Sequence, residues 1–250
     1  NYVLPAAWIA EVLGLPCLPI ESAEACTDKF TMRTLFSEAP EKISPTFREI
    51  ASKEELQAFA EEFGFPLILK PANLAKSLLV TKSHDHQELM RNFERTMAQI
   101  DEVYRRYSPH RSPKVIVEEF MSGSIHSVDA FIDHEGTPHM LENIVDYQTG
   151  YDIGFEDNFH YSRLLPSRLS ESDQDKLRHV AELGARSLHM RSSPAHIEII
   201  MTDDGPQIVE IGARNGGYRE RMHGLANGID ISGAALDIAV GKPPQITASK

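Results

Sequence analysis

The sequence predicts an α+β protein built on antiparallel sheets, and three observations lead there. Residues 196–219, HIEIIMTDDGPQIVEIGARNGGYR, place two apolar runs on either side of an Asp203-Asp204-Gly205 turn, a favoured connection between antiparallel strands. Residues 114–120, KVIVEEF, turn through 121–124 into the alternating run 125–131, a second antiparallel pair. Around them lie amphipathic segments with helix-start signals at Ser52, Ser83 and Ser172.

In order, residues 5–13 have helical spacing and stop at Gly14, and a Pro-containing connector follows. Asp28-Lys29 opens a short helix; alone, Lys29 reads as a solvated first-turn lysine, although that end of the dipole favours an anion. Ser52 with Glu55 forms a capping box for a helix ended by Gly64. Residues 66–70 read as a buried strand ending in Lys70, and residues 78–80 form a second apolar run. A lysine leaving a core strand into a small-residue turn suits a phosphate or a polar ring edge, with a snorkelling strand-end lysine as the ordinary alternative. Ser83 begins a helix of about six turns. A third strand over 138–145 leads into a polar, aromatic stretch, 146–168, with no period, read as a substrate-facing loop. Ser172 with Asp175 starts another helix before the hairpin, and residues 231–240 form the last, ended by Gly241.

Composition narrows the classes. A hydrophobic content of 41% is that of an ordinary globular protein, and a formal net charge of −12 argues against a general nucleic-acid binder. Cys17 and Cys26 make no disulfide framework, which points to a reducing cytoplasm, and no apolar run approaches the roughly 20 residues that span a bilayer. The opening Asn1-Tyr2-Val3-Leu4 lacks an initiating Met and suggests a piece of a longer protein.

The hairpin carries the chemistry. A three-residue loop of Asp203, Asp204 and Gly205 sets Glu198 opposite Glu210. Two like charges opposed across a ladder repel, so something positive belongs between them, and oxygen-only ligands on a rigid hairpin suit Mg²⁺ or Mn²⁺. For an isolated pair, solvent-facing glutamates of an edge hairpin are the commoner case. Arg214, four residues after Glu210 in a Gly-rich exit, adds a cation at the same strand end.

The ordered set Asp28-Lys29, FPLILKPA, VEEFMSG, HIEII and VEIGARNGG resembles the ATP-grasp superfamily, and its exit is most similar to carboxylate-amine ligases of the L-amino acid ligase type. The resemblance implies two α/β subdomains whose antiparallel sheets clasp a nucleotide, with residues 1–27 a connector from a missing N-terminal domain, 28–115 a small subdomain and 116–250 a large one. It implies that Lys29 and Lys70 hold ATP phosphates with Lys76 and Ser77 of the intervening loop, and that Glu118, Glu119, Phe120 and Met121 form a hinge whose backbone reads adenine. Glu198 and Glu210 would bind Mg²⁺ or Mn²⁺, and Arg214 would steady the acyl phosphate or tetrahedral intermediate. The implied reaction activates a small carboxylic acid with ATP and joins it to an amine. The expected partners are those small molecules, with a homodimer as the candidate assembly and neither nucleic acid nor membrane. Leu74, Lys76 and Leu79 replace common loop glycines, Ile125 stands where an acid often holds ribose, and Gly212 replaces a common asparagine. A bicarbonate-activating enzyme and a nucleotide-binding domain without turnover remain the alternatives.

Overall fold

The computed structural model describes residues 2–75, 77–155 and 159–247. In chain order they form α1 (Val3–Val12), α2 (Ile20–Ala25), α3 (Lys29–Phe36), β1 (Phe47–Glu49), α4 (Lys53–Phe63), β2 (Leu67–Pro71), β3 (Thr81–Ser83), α5 (His86–Tyr107), β4 (Val115–Glu119), β5 (Ser124–Ile132), β6 (Pro138–Met140), β7 (Val145–Thr149), β8 (His160–Leu164), α6 (Glu171–Ser187), β9 (Ser193–Thr202), β10 (Gly205–Gly212), α7 (Arg219–Asn227) and α8 (Ile231–Ala239). The α+β class holds, with every described strand pair antiparallel.

The chain divides into two compact units, one of residues 28–34 and 44–121, the other of residues 1–27, 35–43 and 122–250. In the first, a four-stranded sheet runs β1-β4-β2-β3. The apolar stripes of α4 (Leu56, Phe59) and α5 (Leu89, Phe93, Ile100) pack with Leu67, Leu69, Val115 and Val117 in one core. Each fully buried Leu or Phe there contributes roughly 1.5–3 kcal/mol. The core leaves the ends of β2 and β4 to carry polar side chains inward.

In the second unit the sheet runs β10-β9-β5-β7-β8, with β6 also on β5. Helix α6 buries Leu177, Val180, Ala181 and Ala185, and Gly184 lets it approach Ile208 and Ile211, whose side chains a Cβ at that position would strike. The long β5–β9 register, from Ser124↔Met201 to Ile132↔Ser193, sorts the side chains by parity. Val128, Ala130, Ile197 and Ile199 fall on the apolar face, while Ser127, Asp129, His196 and Glu198 share the other. Near one end of the apolar face, Ser124 Oγ lies 2.6 Å from His126 Nε2 and His126 Nδ1 lies 2.8 Å from Asp146 Oδ1. Asp146 also accepts from Ser167 Oγ and the Arg168 N–H, so this trio fastens the segment after β8 to β5.

Several elements differ from the sequence expectation. The turn between β9 and β10 has two residues, Asp203 and Asp204, because Gly205 pairs with Thr202. Helix α5 starts after Asp85, whose carboxylate accepts the Glu88 N–H at 2.7 Å, and not at Ser83, which is buried in β3. Ser170 likewise outcompetes Ser172 as the cap of α6. The 78–80 run forms no strand; the pairing begins at Thr81. Part of 146–168 is ordered as β7 and β8, which pair from Asp146↔Leu164 to Thr149↔His160, and the 138–145 run is split between β6 and β7.

Candidate active site

In the first unit, Asp28 caps α3 by accepting the Thr31 N–H at 3.1 Å, which sets Lys29 at the first turn of that helix. The Lys29 backbone donates to Ala72 O at 2.7 Å and its Nζ to Leu74 O at 3.2 Å, so this lysine lies along the loop that follows β2. Lys70, at the end of β2, is buried and pairs with Glu118 of β4 at 2.6 Å, while Arg33 Nε reaches the other oxygen of that carboxylate at 3.0 Å. Burial alone would raise the Glu118 carboxyl, but Arg33 and Lys70 hold it below the usual range. Burial pushes the Lys70 ammonium down to about 8; Glu118 opposes the shift, and Arg33 and Lys29 reinforce it. An incoming anion would favour the charged form of this desolvated lysine and move its pKa back up.

The loop after Lys70 has left-handed backbone at Ser77 (φ 52) and Leu79 (φ 56). A left-handed conformation costs a residue with a Cβ roughly 1–2 kcal/mol and a glycine little, which accounts physically for a glycine preference at position 79. Ser77 is exposed, and Lys76 lies outside the described residues. At the proposed hinge, Glu119 donates its N–H to Thr46 O and Phe120 its N–H to Pro66 O at 3.3 Å, so a base edge would be read by other hinge atoms. Lys82 Nζ sits 3.6 Å from the Phe120 ring centroid, and Met121 is half-buried. The Glu118 side chain, expected as part of that hinge, pairs with Lys70 and Arg33.

In the second unit, Glu198 and Glu210 are cross-strand partners. The pairing shifts by one residue between Ile208 and Glu210, a bulge at Val209 that keeps Ile208 and Ile211 on the apolar face yet turns Glu210 toward Glu198. Both acids are half-buried. Among the described residues no group of three or more His, Cys, Asp and Glu forms a metal cluster. Two carboxylates on one sheet face nevertheless fit Mg²⁺, which takes one or two and fills its shell with water and phosphate oxygens. Arg214 is exposed just beyond β10; its N–H returns to Gly212 O at 2.8 Å, and its guanidinium carbon would lie 3.5 Å from a Cβ at Gly212. The arginine therefore lies across the strand end, at ordinary contact distance from position 212.

Beneath these groups lies a network that pattern reading missed. His196 Nδ1 is 2.7 Å from Asp129 Oδ1, and Arg219 Nε donates to Asp129 Oδ2 at 2.7 Å. Arg219, fully buried at the start of α7, also donates to Ser127 Oγ at 2.6 Å and Tyr147 Oη at 2.5 Å. Burial opposes both charges, yet Asp129 and Glu198 raise the imidazole while His196 and Arg219 hold Asp129 below the usual carboxylate range. His160 of β8 packs on Tyr147 with ring centroids 4.4 Å apart, and burial lowers its pKa against the opposing pull of Glu198. The sequence offered one signal: polar Ser127, Asp129, His196 and Glu198 recur at period two within apolar strands.

Comparison with known proteins extends the geometry. The ATP-grasp domain family matches residues 63–220. Alanine–anticapsin ligase of Bacillus subtilis (strain 168) is 27% identical over 226 residues, covering 87% of this chain and 47% of that protein. The L-amino acid ligase from Bacillus licheniformis superposes with a TM-score of 0.72 at 23% identity, over 95% of this chain and 54% of that one. A biotin carboxylase from Campylobacter jejuni gives 0.78 at 15% identity, over 98% and 54%, a likeness of fold. The chain thus spans about half the length of the relatives it matches. With more than half its residues inside the match, this chain belongs to the ATP-grasp family.

Proposed function

We propose that the protein is an ATP-dependent carboxylate-amine ligase that activates a small carboxylic acid, in the first instance an amino acid, and joins it to an amine. The observation that carries this reading is the Glu198–Glu210 pair with Arg214 at the exit of the same strand, in a chain similar to two amino-acid-joining ligases. In the reaction, a substrate carboxylate oxygen attacks the γ-phosphorus of ATP, ADP leaves, and an acyl phosphate results. The amine then attacks the acyl carbon, loses a proton, and expels inorganic phosphate. Phosphoryl transfer of this kind asks for position and charge neutralisation. Lys29, Lys70, Lys76 and Ser77 are the groups assigned to the phosphates, and the hinge at Glu118, Glu119, Phe120 and Met121 to the adenine. Glu198 and Glu210 would hold Mg²⁺, which when bound neutralises phosphate charge. Arg214 donates where negative charge develops on the acyl oxygen.

The direct test is release of ADP and phosphate by the full-length protein with Mg²⁺ over a matrix of amino acids and amines. Turnover that needs both an acid and an amine supports the ligase; turnover with bicarbonate alone, or nucleotide binding without any turnover, overturns it. A second prediction follows from Lys70. The ammonium is charged below about 8 and neutral above it, so affinity for the β,γ-imido analogue of ATP should be level at lower pH and fall toward tenfold per pH unit above that value. In Lys70→Arg the fall should vanish, since arginine keeps its charge throughout. A wild-type affinity that stays level to pH 9.5 contradicts the assignment.

A further inference from the structure

A carboxylate on a strand has three rotatable bonds, and Glu198 also faces a like charge across the ladder, which drives it away from the position a shared cation needs. Something must hold it. Its contact on the same strand is His196, two residues earlier on the same face, whose Nε2 lies 3.4 Å from Glu198 Oε1. The imidazole has little freedom. Its Nδ1 is tied to Asp129, directly opposite in the β5–β9 register, and the Gly216 backbone closes over it. A Cβ at Gly216 would come within 2.6 Å of His196 Nδ1 and 2.8 Å of Asp129 Oδ1. Asp129 is fixed in turn by Arg219, which Ser127 and Tyr147 hold in place. Nε2 also lies 3.4 Å from Tyr147 Oη, so the hydroxyl and Glu198 share it. Side chains behind metal-binding groups that fix their orientation commonly matter 10–100-fold for metal affinity.

We propose that His196 is a positioning residue: backed by Asp129 and Arg219, it fixes the Glu198 carboxylate in the orientation that receives a divalent cation together with Glu210. This rests on the ligase reading only in taking Glu198 as a metal ligand. The arrangement explains why a buried ionic network lies under an apparently simple hairpin, and why a glycine is needed at 216. It also links the loop that carries Arg214 to the acid pair, since the same Gly216 closure seats that loop.

Binding of Mn²⁺ to the full-length protein, followed through the electron paramagnetic resonance of free Mn²⁺ with and without ADP, tests the proposal without requiring turnover. Two substitutions divide the imidazole between them. His196→Asn retains an amide near the Nδ1 position and loses the Glu198 contact, so Mn²⁺ should bind at least tenfold more weakly. His196→Gln places its amide nitrogen near Nε2, so affinity should stay within about threefold of wild type. Glu198→Gln is the control for the metal reading; if it binds Mn²⁺ as wild type does, that reading falls. Where Glu198→Gln is weakened and His196→Asn is not, the metal stands and the positioning role is overturned. If His196→Asn fails to fold by its thermal midpoint, Asp129→Asn takes its place: Mn²⁺ binding weakened at least threefold in a folded variant supports the role, and wild-type affinity overturns it.

Discussion

On the ligase reading, Glu210→Gln should abolish metal-dependent turnover, lowering ADP release at saturating Mg²⁺ by about three orders of magnitude, and leave the unfolding midpoint where it was or slightly higher. The size follows from the several kcal/mol that a bound metal supplies to a phosphoryl transition state, at 1.36 kcal/mol for each factor of ten. Stability follows from the register. Glu210 faces Glu198 across the ladder, and a neutral amide of the same shape removes a repulsion between like charges. The side chain is half-buried, so the amide keeps access to water and need not be left unsatisfied. The check is paired: steady-state ADP release against Mg²⁺ concentration, and thermal unfolding of the same preparation. Turnover within threefold of wild type would remove the metal role from this residue, and with it the main support for the ligase.

That pair was legible in the sequence, although by a different route from the one the chain takes. A three-residue loop would have put every residue of β10 one position along, with Ile208 against Ile200. The structure uses a two-residue turn, pairs Ile208 with Ile199, and then inserts Val209 as a bulge. Had the two-residue register continued unbroken, Val209 would face Glu198 and Glu210 would sit against Ile197 on the apolar face. The alternation Ile208, Val209, Glu210, Ile211 has no period-two solution that buries both isoleucines and exposes the acid, and the bulge is how the strand satisfies it.

Local chemistry made other parts visible. Ser52 and Gly64 bound α4 as expected because caps act within a few residues. At α5 and α6 a neighbouring cap competed, and Asp85 and Ser170 won. The pairing of β7 with β8 was hidden because β8 does not alternate: Tyr161, Ser162 and Leu164 are all exposed. The ionic network was hidden for a deeper reason. Asp129, Tyr147, His196 and Arg219 come from three strands and a helix, and only the assembled sheet order of β9, β5 and β7 brings them together. Nothing local distinguishes Arg219 from a solvated residue of the first turn of α7.

Its burial makes Arg219→Met the substitution with the largest expected effect on stability. The guanidinium is 1% exposed and donates to Asp129, Ser127, Tyr147 and the Gly217 carbonyl. Removing it leaves a buried carboxylate balanced by His196 alone, and two hydroxyls that lose a donor. Breaking one partner of a buried pair costs about 3–5 kcal/mol, because the remaining charge loses part of its compensation where no water can replace it. Arg219→Lys should recover only part of that loss, since one ammonium cannot reproduce a planar fork that serves three side chains. The exposed pair Arg48–Glu62 supplies the contrast: its ends are 41% and 55% exposed, and Arg48→Ala should cost less than about 1 kcal/mol. Urea unfolding of the three variants, with one probe in each of the two units, measures both predictions together. If Arg219→Met shifts the midpoint no more than Arg48→Ala does, the network is not what holds β5, β7, β9 and α7 together, and the apolar face of the sheet must carry that role unaided.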